Sequence, residues 1–135
     1  MKYIKQTIRF IWQYVRKAAA WYIGIFKGRQ GHWKMKKFFR CSDGKKGHRT
    51  PAGTFKIGMR FTPLEGKYTE YWAIHVTGYI HFHSILHYKG THIVAVPTLG
   101  KHISLGCIRL ATANAKWMYF HLPDDTTCHI YGKEC

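Results

Sequence analysis

From residue 21 onward the chain is built from short runs of β-branched and aromatic residues, repeatedly broken by glycine. That pattern admits a mostly β fold and little else. Residues 21–26 form the first run, and Lys27, Gly28, Arg29, Gln30 and Gly31 read as a hairpin turn. Residues 33–40 alternate basic and apolar, as a strand with one wet face does. Residues 41–48 read as a glycine-rich loop, and Pro51-Ala52-Gly53 turns the chain into a strand over 54–58. Residues 61–66 are a further connection. Runs at 71–77 and 79–85, split by Gly78, predict a second hairpin, and a weaker strand covers 92–96. One helix is predicted after these strands, over 111–121, with Ala113, Trp117 and Phe120 as its inner stripe and Leu122-Pro123 as its stop. Residues 126–131 close the chain as a strand, and no internal repeat interrupts the order.

The first 20 residues differ in kind. Ile4, Ile8, Ile11 and Val15 fall at helical spacing among Lys2, Lys5, Arg9, Arg16 and Lys17. A short basic amphipathic helix packed on the domain fits this pattern, and the sharper alternative is a helix lying on an anionic membrane surface. The apolar run at 10–15 is too short for a clear signal peptide, and no stretch reaches transmembrane length. The expected organisation is a basic segment over 1–20 and one catalytic domain over 21–135.

Chemistry concentrates in Ile103-Ser104-Leu105-Gly106-Cys107-Ile108-Arg109-Leu110. Strand alternation sends Ile108 and Leu110 into a core and leaves Cys107 and Arg109 on the opposite face. Gly106 lets the backbone pass close to the sulfur's target and leaves an N–H free for an oxyanion. This is a layout for a thiol nucleophile with a cation nearby. The plainer alternative is a small buried cysteine.

Charge bounds the partners. The 135 residues hold 22 Lys and Arg against 6 Asp and Glu, a formal charge of +16. Attraction to polyanions follows, whether nucleic acid, anionic lipid or an acidic wall polymer. Most of the acids fall in glycine- or proline-rich connections, so a paired-carboxylate mechanism is poorly supplied. Cys41, Cys107, Cys128 and Cys135 form no C-x-x-C pair, which argues against a zinc knuckle. Cys128 can pair with Cys135, Cys41 can pair with either, and all four can be free.

Several motifs then occur in one order. Cys41-Ser42-Asp43-Gly44 precedes Thr50-Pro51-Ala52-Gly53-Thr54-Phe55, followed by Phe82-His83-Ser84, Leu99-Gly100 and the Cys107 stretch. Ala115-Lys116-Trp117-Met118-Tyr119 and residues 126–131 continue the series. From residue 21 to 131 the chain resembles the catalytic domain of the L,D-transpeptidases, the YkuD family. The resemblance implies a β-sandwich-like fold with a helix after the cysteine strand. It also implies a cysteine that takes an acyl group from a peptidoglycan stem tetrapeptide, releasing the terminal D-residue. Transfer to an amine on a second stem then links the third residues of the two stems. By the same resemblance Cys107 is the nucleophile, His83 the base and Ser84 the residue whose carbonyl orients it, while His87, whose distance from Ser104 suits the family's shorter spacing, is the rival for the base. Arg109, Ser104 and Gly106 fall at substrate-binding positions. The location implied is extracytoplasmic, and neither cofactor nor metal is called for.

One position departs from the family pattern: Leu105 stands where the signature carries a histidine. With His83 as base the chemistry survives, while the polarity of the site mouth changes. Without the family, a Cys–His pair still suits a chain short of acids, since an imidazolium lowers a thiol pKa by several units. Three other readings stand beside it. His75, His81, His83 and His87 could ligate a metal, a basic polyanion (nucleic-acid) binder would explain the charge, and a hydrolase of the same family would use water as acceptor.

Overall fold

The computed structural model describes residues 21–29 and 31–130. The basic segment over 1–20 and the last five residues lie outside the described part. The elements are β1 (Trp21–Arg29), β2 (His32–Gly44), β3 (Gly53–Lys56), β4 (Arg60–Phe61), β5 (Leu64–Glu65), β6 (Tyr68–Glu70), β7 (Ala73–Thr77) and β8 (Ile80–Ser84). They continue as β9 (Leu86–Tyr88), β10 (Val94–Val96), β11 (His102–Ser104), β12 (Ile108–Leu110), α1 (Thr112–His121) and β13 (Thr127–Ile130).

Three sheets form. The largest runs β1-β2-β12-β8-β7-β4, with β11 added to β2. A second runs β10-β9-β6-β5, and β13 pairs with β3 as a ribbon. The centre of the large sheet is β12, antiparallel to β2 and parallel to β8. Its outer residues Ile108 and Leu110 are 5% and 0% exposed, so this three-residue strand is held by burial and by two ladders.

The fold is mostly β with one helix after the cysteine strand, as the sequence indicates, and the β7–β8 hairpin forms across Gly78. Four local expectations change. The first hairpin turn is tighter, with Arg29 already paired to His32. The loop expected from Cys41 begins only at Lys45, because Ser42 pairs with Arg109 and Asp43 with His102. Residues 61–66, expected as a connection, contribute to the short strands β4 and β5.

The helix buries a different stripe: Ala115 and Met118 face the core, whereas Ala113 and Phe120 are exposed. Ala115, Met118 and Leu122 stand at i, i+3 and i+7, one helical face continued into the extended stop residue. Trp117 is only partly buried, its ring edge-on to Phe39 at 6.1 Å. Pro123 enforces the stop, since the residue before a proline is driven out of helical dihedrals, and Leu122 sits at φ −77°, ψ 127°.

The reassigned stripe has a measurable consequence. Met118→Ala should lower the unfolding free energy by about 2–5 kcal/mol. Phe120→Ala, on the exposed side, should cost about 1 kcal/mol or less. Urea denaturation of both variants checks this, and equal losses would restore the stripe expected from sequence.

Candidate active site

Cys107 is not on a strand. β11 ends at Ser104, the chain bends through Leu105 and Gly106, and β12 starts one residue after the cysteine. Two hydroxyls fix the bend. Ser104 Oγ donates to the Cys107 carbonyl at 2.6 Å and accepts from Gly106 N–H at 3.1 Å. Thr50 Oγ1 donates to the Gly106 carbonyl at 2.7 Å and accepts from Gly44 N–H at 3.0 Å. Gly106 itself is required: its φ is +127°, and a Cβ there would stand 2.6 Å from Ile80 Cδ1.

This overturns one expectation. The Gly106 N–H is occupied by Ser104 Oγ, so it is not free for an oxyanion. Ser104, buried at 2% exposure, is a brace of the bend. The sequence also did not single out Thr50 for this contact, which joins residues far apart in the chain.

The thiol lies against the start of β8. Cys107 Sγ donates to the Tyr79 carbonyl at 3.4 Å and accepts from the His81 backbone N–H. Two residues further along β8, His83 is 2% exposed and pairs by register with Arg109. His83 Nδ1 donates to the Ser84 carbonyl at 2.6 Å, which fixes the ring and leaves Nε2 as the nitrogen able to take a proton. Ser84 is strapped in turn: its N–H donates to the Tyr71 carbonyl and its Oγ accepts from Tyr71 N–H, each at 2.9 Å.

Glu70 completes the group. Its Oε2 stands 3.5 Å from His83 Nε2. It is the last residue of β6 and half-buried. Position alone could not reveal it, because the β6 to β8 approach is a tertiary contact.

Burial governs the electrostatics. It pushes His83 down to about 4, against the help of the Ser84 carbonyl, and Arg109 and His81 push the same way. It raises Glu70, partly countered by Arg109. It raises the Cys107 thiol, with the His81 N–H and Arg109 opposing and Glu70 reinforcing. Burial thus disfavours the charged form of both the thiol and the imidazole, so the thiol is raised where an imidazolium neighbour was expected to lower it. Arg109 is half-buried and its Nε has no hydrogen-bond partner.

The other histidines have separate attachments. His75 Nε2 donates to Gly78 O, His81 Nδ1 to Tyr79 O, and His87 Nε2 meets Thr112 Oγ1 at 3.3 Å. Among the described residues no group of three or more His, Cys, Asp or Glu could hold a metal ion. Cys41, Cys107 and Cys128 are free thiols, and Cys135 lies outside the described part.

The family model of the L,D-transpeptidase catalytic domain (YkuD) matches residues 12–130. The chain belongs to that family. No curated protein matches it. Among solved structures it is similar to a fused Zn-dependent amidase/peptidase/peptidoglycan-binding domain-containing protein from Clostridium acetobutylicum, at 33% identity and TM-score 0.68, covering 82% of this chain and 47% of that one. It is also similar to an L,D-transpeptidase from Mycobacterium smegmatis, at 20% identity and TM-score 0.62, covering 86% and 55%. A third is L,D-transpeptidase 3 from Mycobacterium tuberculosis with a faropenem-derived adduct, at 16% identity and TM-score 0.59, covering 81% and 56%. The latter two carry the fold alone. The chain spans about half the length of these proteins.

Within this L,D-transpeptidase domain, Leu105 is 61% exposed and Tyr79 69% exposed. Tyr79 Cε2 lies 3.5 Å from where a Cβ on Gly106 would stand, which puts an apolar surface beside the bend.

The thiols should separate by reactivity. Burial raises Cys41 strongly and Cys128 up to about 12. In a Cys135→Ser background, iodoacetamide should modify Cys107 first, with an alkylation midpoint above the ordinary thiol value of about 8.5. Mass spectrometry across pH reads both. A midpoint well below 8 would mean that the resting pair is a thiolate and imidazolium.

Proposed function

We propose that residues 21–135 form one cysteine-dependent L,D-transpeptidase domain, acting outside the cytoplasm on peptidoglycan stem peptides. The observation that carries this reading is the Cys107 bend seated against β8, with His83 held by the Ser84 carbonyl on that same strand. In this reading His83 Nε2 takes the Cys107 proton and Sγ attacks the carbonyl carbon of the third stem residue. The C–N bond to the terminal D-residue breaks, its nitrogen takes the proton from His83, and a thioester remains on Cys107. An amine of a second stem then attacks the thioester, losing its proton to His83, and the thiol is regenerated. Arg109 supplies a cation for the donor's terminal carboxylate. Hydrolysis is the same path with water as acceptor.

The test is intact mass after exposure to a stem tetrapeptide. Wild type should gain an acyl adduct on Cys107 and Cys107→Ser should gain none. An adduct surviving in Cys107→Ser, or mapping to Cys41 or Cys128, would refute the assignment. Losing the base should cost on the order of a hundred- to ten-thousand-fold in transfer rate. That loss is expected for His83→Ala. His87→Ala should lack it, because His87 lies on β9 between Thr112 and the Tyr71 ring rather than on β8, against which Cys107 is seated.

Wall polymers fit the charge. The β1–β2 hairpin exposes Arg29, Lys34, Lys36, Lys37 and Arg40, with Asp43 the one acid of its strands. The segment over 1–20 adds further basic residues, whose charge suits contact with an anionic membrane surface. Binding to isolated sacculi should fall steeply between about 50 and 500 mM salt, since exposed charges are screened within a Debye length. Acylation by a small donor should change far less. If duplex DNA displaces the protein from sacculi while acylation is undetectable, a polyanion-binding role gains instead.

A further inference from the structure

Nothing in the chemistry above uses Glu70, although it stands beside the base. His83 Nδ1 is committed to the Ser84 carbonyl, so Nε2 alone can receive a proton from the thiol. That nitrogen is the one Glu70 Oε2 approaches to 3.5 Å. The approach is built into the backbone, because the residue after Glu70 and the residue after His83 are joined by two hydrogen bonds, Tyr71 N–H to Ser84 Oγ and Ser84 N–H to Tyr71 O. Those bonds set the end of β6 against the end of β8. They tie the carboxyl to the same residue that orients the imidazole.

We propose that Glu70 is a positioning residue that gates the base, its carboxyl sharing one proton with His83 Nε2 and so deciding when that nitrogen is free to accept the thiol proton. This rests on the transpeptidase reading for its role in turnover, though the proton sharing itself does not. When Glu70 is protonated its O–H donates to the Nε2 lone pair, and the base is blocked. When that proton is lost to solvent, Nε2 is open to the Cys107 S–H. The field agrees with a shared proton, since burial raises Glu70 and lowers His83, favouring a neutral acid beside a neutral base.

The groups facing this pair are few. Arg109 on β12 favours the ionised carboxylate and opposes the imidazolium, and His81 on β8 also opposes the imidazolium. Cys107 feels Glu70 as a negative charge that opposes its ionisation. Tyr68, two residues back on β6, acts on Arg109. On the flanking strands, Glu65 of β5 and His87 of β9 are register partners of Thr69, whose side chain alternates to the other face of β6.

Two substitutions separate a proton gate from a merely structural contact. Glu70→Gln fills the same space but offers a permanent N–H donor to Nε2, the blocked state made fixed. Glu70→Ala removes the block. A structural role ranks the conservative Gln above Ala, whereas the gate ranks Ala above Gln. Using the full chain, acylation of Cys107 by a stem tetrapeptide should be slower in Glu70→Gln than in Glu70→Ala by on the order of ten-fold or more.

Nitrogen-15 spectra of the His83 imidazole across pH provide the second readout. The protonation midpoint in Glu70→Ala should rise by about one pH unit or more relative to wild type, since no O–H then holds the Nε2 lone pair. Glu70→Asp, with the carboxyl drawn back by one methylene, should lie between them and keeps the test available if Glu70→Ala does not fold. Coincident His83 midpoints, or Gln as active as wild type, would overturn the gate. Shifted midpoints without any acylation would sink the transpeptidase reading and leave the proton sharing intact. Acylation with an unmoved His83 would do the reverse.

Discussion

The structure depends on the double pairing of β12. A three-residue strand has no stability of its own, and here it is fixed on one side to β2 and on the other to β8. The antiparallel ladder ties it to the long hairpin strand, and the parallel one sets Arg109 level with His83. Parallel neighbours need a long crossover, and the chain from β9 through β11 supplies it. Because Leu110 is fully buried, a shift of one residue would turn the core side chains outward and the Cys107 face inward. The register that secures the core is thus the register that aligns the chemistry.

That security has an electrostatic cost. Cys107, His83, Glu70 and Arg109 are all partly or wholly withdrawn from water, and for all four burial favours the uncharged form. The site at rest therefore resists the ion pair that thiol chemistry needs. In the reaction proposed above, charge is created as the substrate arrives, when exclusion of water would strengthen the attraction of Arg109 for a carboxylate. With six acids in 135 residues, a half-buried glutamate beside His83 is a conspicuous use of a scarce group.

Much of this was legible in the sequence. The β7–β8 hairpin and the helix after the cysteine followed from alternation and glycine placement. The missing parts share one cause. The extension of β2 through Gly44, the Thr50 clamp, the occupied Gly106 N–H and the approach of Glu70 to His83 are all contacts between segments distant in the chain. Local propensity carries no information about them. The helix stripe failed for another reason: Trp117, Met118, Tyr119 and Phe120 are consecutive apolar residues, so periodicity alone cannot choose the inward side. Packing against β8 makes that choice.

Leu105 can be understood from the same geometry. The bend that presents Cys107 is held by Ser104 Oγ on its own backbone and by Thr50 Oγ1 on the Gly106 carbonyl. Neither tie involves the side chain at position 105, which projects into solvent. A histidine there could be exchanged for leucine without loosening the bend, and without touching His83 and the Ser84 carbonyl that holds it, both on β8. What changes is the exposed surface at the bend, where an isobutyl group presents no hydrogen-bond donor and no titratable proton. In the reaction proposed above, an acceptor amine arriving over that surface would shed water from apolar contact rather than exchange hydrogen bonds. Its discrimination from water would then rest on how well its own apolar atoms cover the exposed Leu105 and Tyr79.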